Sequence, residues 1–336
     1  MTELIQKLCN LDATSGNEES VRNFIISEIK DFCDYKIDNL GNILAFKEGK
    51  KRPLKKVMID AHMDEVGLII TNITFDGFLK FKTVGGIETS ALMFRKVLIG
   101  GKILGVISGK PIHLVGNGDR KKLPDSDSLY IDIGAISRDE ASKIINIGDR
   151  GVICGKYKEQ GDCIISKALD DRIGCALLIA LIKSPCEYDF YASFSVQEEV
   201  GLRGARVAAF SINPQSAIVL EGTTAADISG VSEENTVCKL GFGPAVSFMD
   251  KSTVYDPSYF KAALNSGILC QPKSLVSGGN NSGAIHLSRE GIRTIALSLP
   301  CRYIHTASSV AHKTDIQNMY KLAQYMLKGI ASGEIP

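Results

Sequence analysis

Two glutamates, Glu198 and Glu199, stand side by side just beyond the apolar run "YASFSV". Like charges on neighbouring residues repel, and a buried pair is costly unless a cation or a shared proton offsets it. A solvated turn, a proton-transfer pair, or one metal ligand beside one base would each meet that constraint. Neighbouring side chains diverge, so one carboxylate can bind a cation while the other faces a water as general base. His62 and Asp64 stand two residues apart in "AHMDE", and on an extended chain both side chains point the same way. Asp64 could then orient a ligating imidazole, or merely hydrogen-bond a strand-end histidine. Asp170 and Asp171 open a helical stretch, where the helix dipole favours acids without any catalytic role. Glu221 follows "SAIVL" and His305 lies shortly after "TIALSLP".

The elements that must position these groups can be read from the runs before them. "VMIDA", "FYASFSV", "SAIVL" and "TIALSLP" read as buried strands, and helical stretches alternate with the later ones. These stretches are "DDRIGCALLIALIKS", "GLRGARVAAF", "DPSYFKAALNSG", "GAIHLSREG" and a last helix from about Asp315. Open α/β sheets carry their sites beyond the carboxyl ends of the strands, so five segments deliver carboxylate or imidazole groups to one rim. Upstream, Ser15 and Glu18 have capping-box spacing at the head of a helix predicted from Ser15 to Cys33. A hairpin, "YKIDNLGNILAFK", follows. Between about residues 66 and 165 short β-rich runs and glycine turns predict a small barrel or sandwich. The simplest architecture is a discontinuous α/β domain, residues 1–65 plus 166–336, with residues 66–165 inserted as a β-rich domain.

With 336 residues, 44% of them hydrophobic, the chain can bury a large core. The formal net charge is +1, and the basic runs "KEGKKRPLKK" and "GDRKKL" read as solvated loops, so no nucleic-acid partner is expected. No apolar run is long enough to cross a bilayer, and no export signal is visible at the N-terminus. Nine cysteines without a CxxC pair point to reduced thiols and a cytoplasmic location. Of the five histidines, His113 reads as structural, His286 as facing the core or a neighbour, and His312 as facing solvent. "SGGNNSG" lacks the features of a phosphate loop, and no GxSxG elbow occurs. Two histidines with several carboxylates and no rim cysteine suit Zn, Co or Mn. Five ligands sharing one carboxylate would make a two-metal centre able to clamp a carbonyl oxygen and activate a water, which favours amide hydrolysis.

The segments "AHMDEVG", "ALDDRIG", "VQEEVGLRGA", "LEGTTAAD", "SGGNNSGAIHLSREG" and "CRYIHTASSV" resemble, in this order, the M42 family of metallo-aminopeptidases. Its members include glutamyl and tetrahedral aminopeptidases, often labelled endoglucanase or cellulase M. The resemblance covers essentially the whole chain, the insert included through "TVGGIE", "GVISGKPIHL" and "LYIDIGA". It implies an α/β, mixed-sheet metallopeptidase sandwich whose inserted PDZ-like β-domain mediates assembly, from dimers to a tetrahedral dodecamer. It implies His62, Asp170 and Glu221 on one divalent ion and Asp170, Glu199 and His305 on the other, with Asp170 bridging. Glu198 would be the general base on a metal-bridging water, Asp64 would support His62, and short peptides with a free N-terminus would be the substrates. Glu221 stands where many relatives have aspartate, Asn281 replaces an aspartate expected near the substrate, and "HTASSV" replaces the usual "HSP". Two other readings stay open: a metal-dependent deacylase of N-acyl amino acids, and a catalytically silent assembly protein. A glycosidase needs two carboxylates but no metal, which leaves the histidines unexplained.

Overall fold

The computed structural model describes residues 1–110 and 123–336; His113 and most of "GDRKKL" lie outside the described residues. Among the described residues, the chain forms one large mixed sheet and one closed six-stranded barrel. The four apolar runs become the sheet's centre, where Phe190–Ser195, Val57–His62, Ser216–Thr224 and Arg293–Arg302 lie side by side and parallel. Every residue of Val57–His62 is buried, the pattern of a parallel strand covered on both faces. Helices Leu169–Lys183 and Lys313–Ser332 pack against these strands.

Outward from the centre the pairing turns antiparallel. Ile43–Lys47 and then Asp34–Ile37 flank one side. Ser309–His312, Cys163–Ser166 and Lys158–Gln160 flank the other. The two outermost strands are short and exposed at every residue. The hairpin forms as read: the Asp38 carboxylate accepts from the amides of Leu40, Gly41 and Asn42, each at 3.0 Å, which closes its turn.

The insert is a barrel rather than a sandwich. Its strands Gly67–Ile73, Leu79–Val84, Ile131–Asp132, Ile103–Ile107, Lys96–Ile99 and Arg150–Ile153 close in that order around Leu68, Ile70, Leu79, Val97, Ile99 and Ile131. Residues 158–165, read with the insert in the sequence, pair instead within the large sheet, Cys163 opposite His312.

Three local readings are corrected. The predicted capping box does not form: the helix runs Glu19–Ile29, and the Ser15 hydroxyl donates to Asp64 Oδ2 at 2.6 Å. Glu18 Oε1 accepts from the amides of Gly16 and Gln197 at 2.6 and 3.2 Å, so both residues serve loops of the rim. His312 does not face open solvent; it is half-buried, and its Nδ1 accepts from the Thr314 amide, capping the last helix. "GAIHLSREG" is α-helical only within Ser282–Ile285, and the half-buried His286 holds its Nδ1 2.7 Å from Ser282 O.

A buried ion network ties the N-terminal segment to the sheet. Glu65 receives Lys167 Nζ at 2.7 and 2.8 Å and Arg172 Nη2 at 3.0 Å. Arg172, fully buried, also donates to the carbonyls of Met63, Leu8 and Leu11. Burial opposes ionisation of Glu65, but Lys167 and Arg172 outweigh it and hold its carboxyl below the usual range. Its folded pKa lies below the unfolded value, so its contribution is full above the ordinary glutamate pKa and declines as pH falls below it. Glu65→Ala strands the buried Arg172 guanidinium and leaves Lys167 only Asp12 as an acidic partner, and it is expected to cost about 3–5 kcal/mol in urea unfolding at neutral pH. That deficit should shrink as the unfolding series is carried to acid pH.

Candidate metal centre

The parallel register brings the strand ends level: Ser195 pairs with His62, and Glu221 lies one strand further along. His62, Asp64, Asp170 and Glu221 are buried, as is the Glu199 side chain, while Glu198 and His305 are partly exposed. The structure thus gathers all seven residues singled out in the sequence.

His62 Nε2 lies 3.4 Å from Asp170 Oδ1 and 3.3 Å from Glu221 Oε1. His305 Nε2 lies 3.4 Å from Asp170 Oδ2 and 3.3 Å from Glu199 Oε2. Asp170 therefore offers one oxygen to each imidazole. The other ring nitrogens face carbonyls: His62 Nδ1 is 3.1 Å from Asp64 O, and His305 Nδ1 is 2.9 Å from Gly86 O. A carbonyl only accepts, so each Nδ1 carries a proton, and each Nε2 is left to face the carboxylates either as a second N–H or as a lone pair. Two lone pairs do not attract across 3.3 Å unless a proton or a cation lies between.

The donor set fits a cation. His62 Nε2 and Glu221 Oε2 are buried without a hydrogen-bond partner, which is costly for polar atoms. Tetrahedral coordination with bonds of about 2.05 Å would space neighbouring donors about 3.35 Å apart, close to the separations found here. Six carboxylates (Asp64, Asp170, Asp171, Glu198, Glu199 and Glu221) meet two imidazoles, an excess of negative charge that divalent ions neutralise. Among the described residues, two donor triads bring their ligand atoms within 4.8 Å of one another: His62–Asp171–Glu221 and His62–Asp170–Glu199. Asp171 is nonetheless occupied, since it accepts from the amides of His62 at 3.1 Å and Gly174 at 3.0 Å.

The Asp170–Asp171 pair divides its work. Both residues have non-helical backbone angles, and the peptide between them is cis. Asp171, whose carboxylate takes the Gly174 amide, acts as the helix cap; Asp170, just upstream, faces the imidazoles. Sequence reasoning left Asp171 out of the site, although its place beside Asp170 was the available signal. It also missed Gly86, whose contribution is a backbone carbonyl that no residue type announces.

Asp64 works mainly through the glutamates. Its Oδ1 accepts from the Glu198 amide at 3.0 Å, its Oδ2 from the Glu199 amide at 3.2 Å and from Ser15. His62 Nδ1 is 3.4 Å from its Oδ1. Burial would raise the Asp64 pKa, but His62, Ser15 and the Glu198 amide outweigh burial and keep it ionised. Asp64 is a positioning residue.

Burial pushes Glu198 up to about 7; His62 and His305 oppose the rise, and Asp170 and Asp64 add to it. Glu199 and Glu221 are raised further, chiefly by burial. Asp170 moves the other way: burial would raise it, but the two imidazoles that face it hold it well below the usual range. Burial works against a charged His305, yet Asp170 and Glu199 lift it to about 9.

The site opens on a cleft of about 640 Å³ lined by Glu198, Glu199, Glu221, Asn280 and His305 among others. Asn281 does not line it. Its Nδ2 donates to Asp60 Oδ2 at 2.7 Å and Ser195 Oγ at 2.9 Å in the interior, and its neighbour Asn280 faces the cleft. The expectation that Asn281 adjoins substrate is thereby corrected. Gly222 donates to Asp170 Oδ1 at 3.1 Å, and a Cβ there would stand 2.7 Å from Asp170 Cγ.

A barrel-bearing α/β fold with a histidine–carboxylate cluster at the strand ends carries the donors that a metal-dependent hydrolase uses. Residues 41–322 match the family described as M42 glutamyl aminopeptidase. The chain is 32% identical to the lysyl aminopeptidase of Pyrococcus furiosus, covering 97% of this chain and 96% of that protein. Its structure is similar to that of an aminopeptidase from the archaeon Desulfurococcus kamchatkensis. The TM-score is 0.90 and the identity 34%, over 96% of this chain and 93% of that one. It is also similar to the Pyrococcus horikoshii TET1 peptidase, described as assembling into a tetrahedron or an octahedral shell. That TM-score is 0.85 and the identity 33%, over 97% and 98% of the two chains. This chain belongs to the M42 family, and it is an aminopeptidase.

Gly222→Ala forces Asp170 aside and is expected to weaken metal uptake by apoprotein about 10–100-fold, measured by equilibrium dialysis. Unchanged uptake would remove Asp170 from the donor set.

Proposed function

We propose that the chain removes N-terminal residues from short peptides using two divalent ions, Zn or Co and less readily Mn. His62, Asp170 and Glu221 would hold one ion; Asp170, Glu199 and His305 would hold the other. The observation that carries this reading is the pair of matched separations, 3.3 and 3.4 Å, that each imidazole Nε2 keeps from its two carboxylates. Bound ions of this kind polarise a carbonyl oxygen and make a nearby water acidic enough to attack at neutral pH.

The chain's own groups do the rest. Glu198, with its pKa near 7, takes a proton from the attacking water onto its carboxylate and gives it to the departing amine nitrogen. Asp64 fixes the backbone of both glutamates, so the proton acceptor and the adjacent ligand keep their separation through the cycle. The cleft supplies room for an extended peptide segment. The barrel is the PDZ-like assembly domain of this reading, and the protein is a cytoplasmic homo-oligomer built from dimers, up to a dodecamer. Among the described residues no helix is long and apolar enough to cross a membrane.

A deacylase of N-acyl amino acids is separated by substrate. Peptides with free N-termini should be cleaved and their acetylated counterparts spared; the reverse preference would favour the deacylase. Chelator should abolish turnover and Co or Zn restore it. Glu198→Gln should retain both ions by metal analysis and lose turnover by a factor on the order of 100 or more. Near-normal turnover in that variant would exclude Glu198 as the base.

A further inference from the structure

The two groups of donors are held by different mechanical units. His62 and Glu221 sit on adjacent parallel strands of the large sheet, and the His62 ring is oriented by Asp64 from the same segment. Glu199 and His305 lie where the sheet meets the barrel. The loop after barrel strand Leu79–Val84 carries Gly85 and Gly86, and Gly86 O accepts from His305 Nδ1 at 2.9 Å. Gly85 has φ +84°, and a Cβ there would stand 2.8 Å from Val66 Cγ1 and 3.2 Å from Glu199 Cβ. Two residues past His305, Ala307 is buried in the barrel's own core with Leu68, Leu79 and Ile153. His305 itself holds a left-handed backbone, φ +59°, a conformation that persists only where its surroundings enforce it. The barrel supplies that enforcement on both sides of the residue, through Gly86 at the ring and Ala307 along the chain.

We infer that the inserted barrel positions one ion site of the two. The Gly85–Gly86 loop and the pocket that receives Ala307 set His305 and bear on the Glu199 side chain, whose amide Asp64 holds, while His62 and Glu221 are set by the sheet and the Asp171 segment with no barrel contact among the described residues. The inference rests on the two-ion reading and extends it, because it gives the insert a share in metal affinity in addition to assembly. An imidazole whose outer N–H loses its partner binds metal about 10–100-fold more weakly. Displacing the barrel therefore releases the Glu199–His305 ion first.

Metal-stripped full-length protein would be titrated with Co²⁺ by calorimetry and equilibrium dialysis. Wild type would be compared with Gly85→Ala and Gly101→Ala. Gly101, in a turn of the same barrel, has φ +68° and open space around a Cβ, so its variant carries the backbone strain without the contact. Wild type and Gly101→Ala are expected to take up two ions with matching affinities. Gly85→Ala is expected to keep one affinity and weaken the other about 10–100-fold. Should Gly85→Ala lose cooperative melting, Ala307→Val presses on the same segment from the barrel core and is expected to weaken the same site. Equal weakening of both sites, or no change in either, overturns the inference and leaves the two-ion reading intact. A wild-type chain that binds fewer than two ions overturns both.

Discussion

The whole rim is organised by Asp170, whose two oxygens each face a different imidazole. Holding that carboxylate amid five others in a poorly solvated place is expensive, and much of the local backbone exists to meet the demand. Gly222 presents its amide and, lacking a Cβ, leaves the space that Asp170 fills. Asp171 turns inward and spends its oxygens on amides, so it adds little repulsion of its own. Asp64 does the same for the glutamate turn. Of the six acids, two are satisfied by backbone, and the excess left for cations is concentrated on the remaining four.

The cost is visible in the backbone. Ala168, Gln197, Leu202 and His305 all adopt positive φ without being glycine, and each such residue costs about 1–3 kcal/mol. Ala168 and Gln197 immediately precede or nearly precede the acids they deliver. The Glu65–Lys167–Arg172 network lies close behind, fixing the segments that carry Asp64 and Asp170. A rigid frame around strained turns is the arrangement expected where a constellation of donors must be in place before any ligand arrives.

Much of this was legible in the sequence because burial writes itself as apolar runs. Four such runs end in the polar residues of the rim, and a parallel sheet puts those ends together. The order of segments was enough to identify the family. What stayed hidden depends on contacts between residues far apart in the chain. Ser15 and Glu18 have the spacing of a helix cap, yet partners more than forty residues away claim both side chains. His312 sits in a polar run but caps a helix. Asn281 and Asn280 are neighbours of the same type, and only the fold decides which one meets the cleft. The insert could be read as barrel or sandwich because strand spacing does not encode closure. Its boundary was placed late because Cys163–Ser166 looks like any other short strand until Ser309–His312 lies beside it.

The outer margins of the large sheet bear on how copies of this chain can meet. Asp34–Ile37 and Lys158–Gln160 are brief, solvent-washed and carry Asp34, Lys36, Lys158 and Glu159. Charged, stubby margins of that sort discourage a second molecule from zipping its backbone onto the ladder. The barrel's described strands close on one another, though Leu79–Val84 meets Ile131–Asp132 at one residue pair only. A shell that left these two margins unpaired would be riveted through side chains, and its seams could be redrawn by point substitutions without disturbing the hydrogen-bonded scaffold beneath.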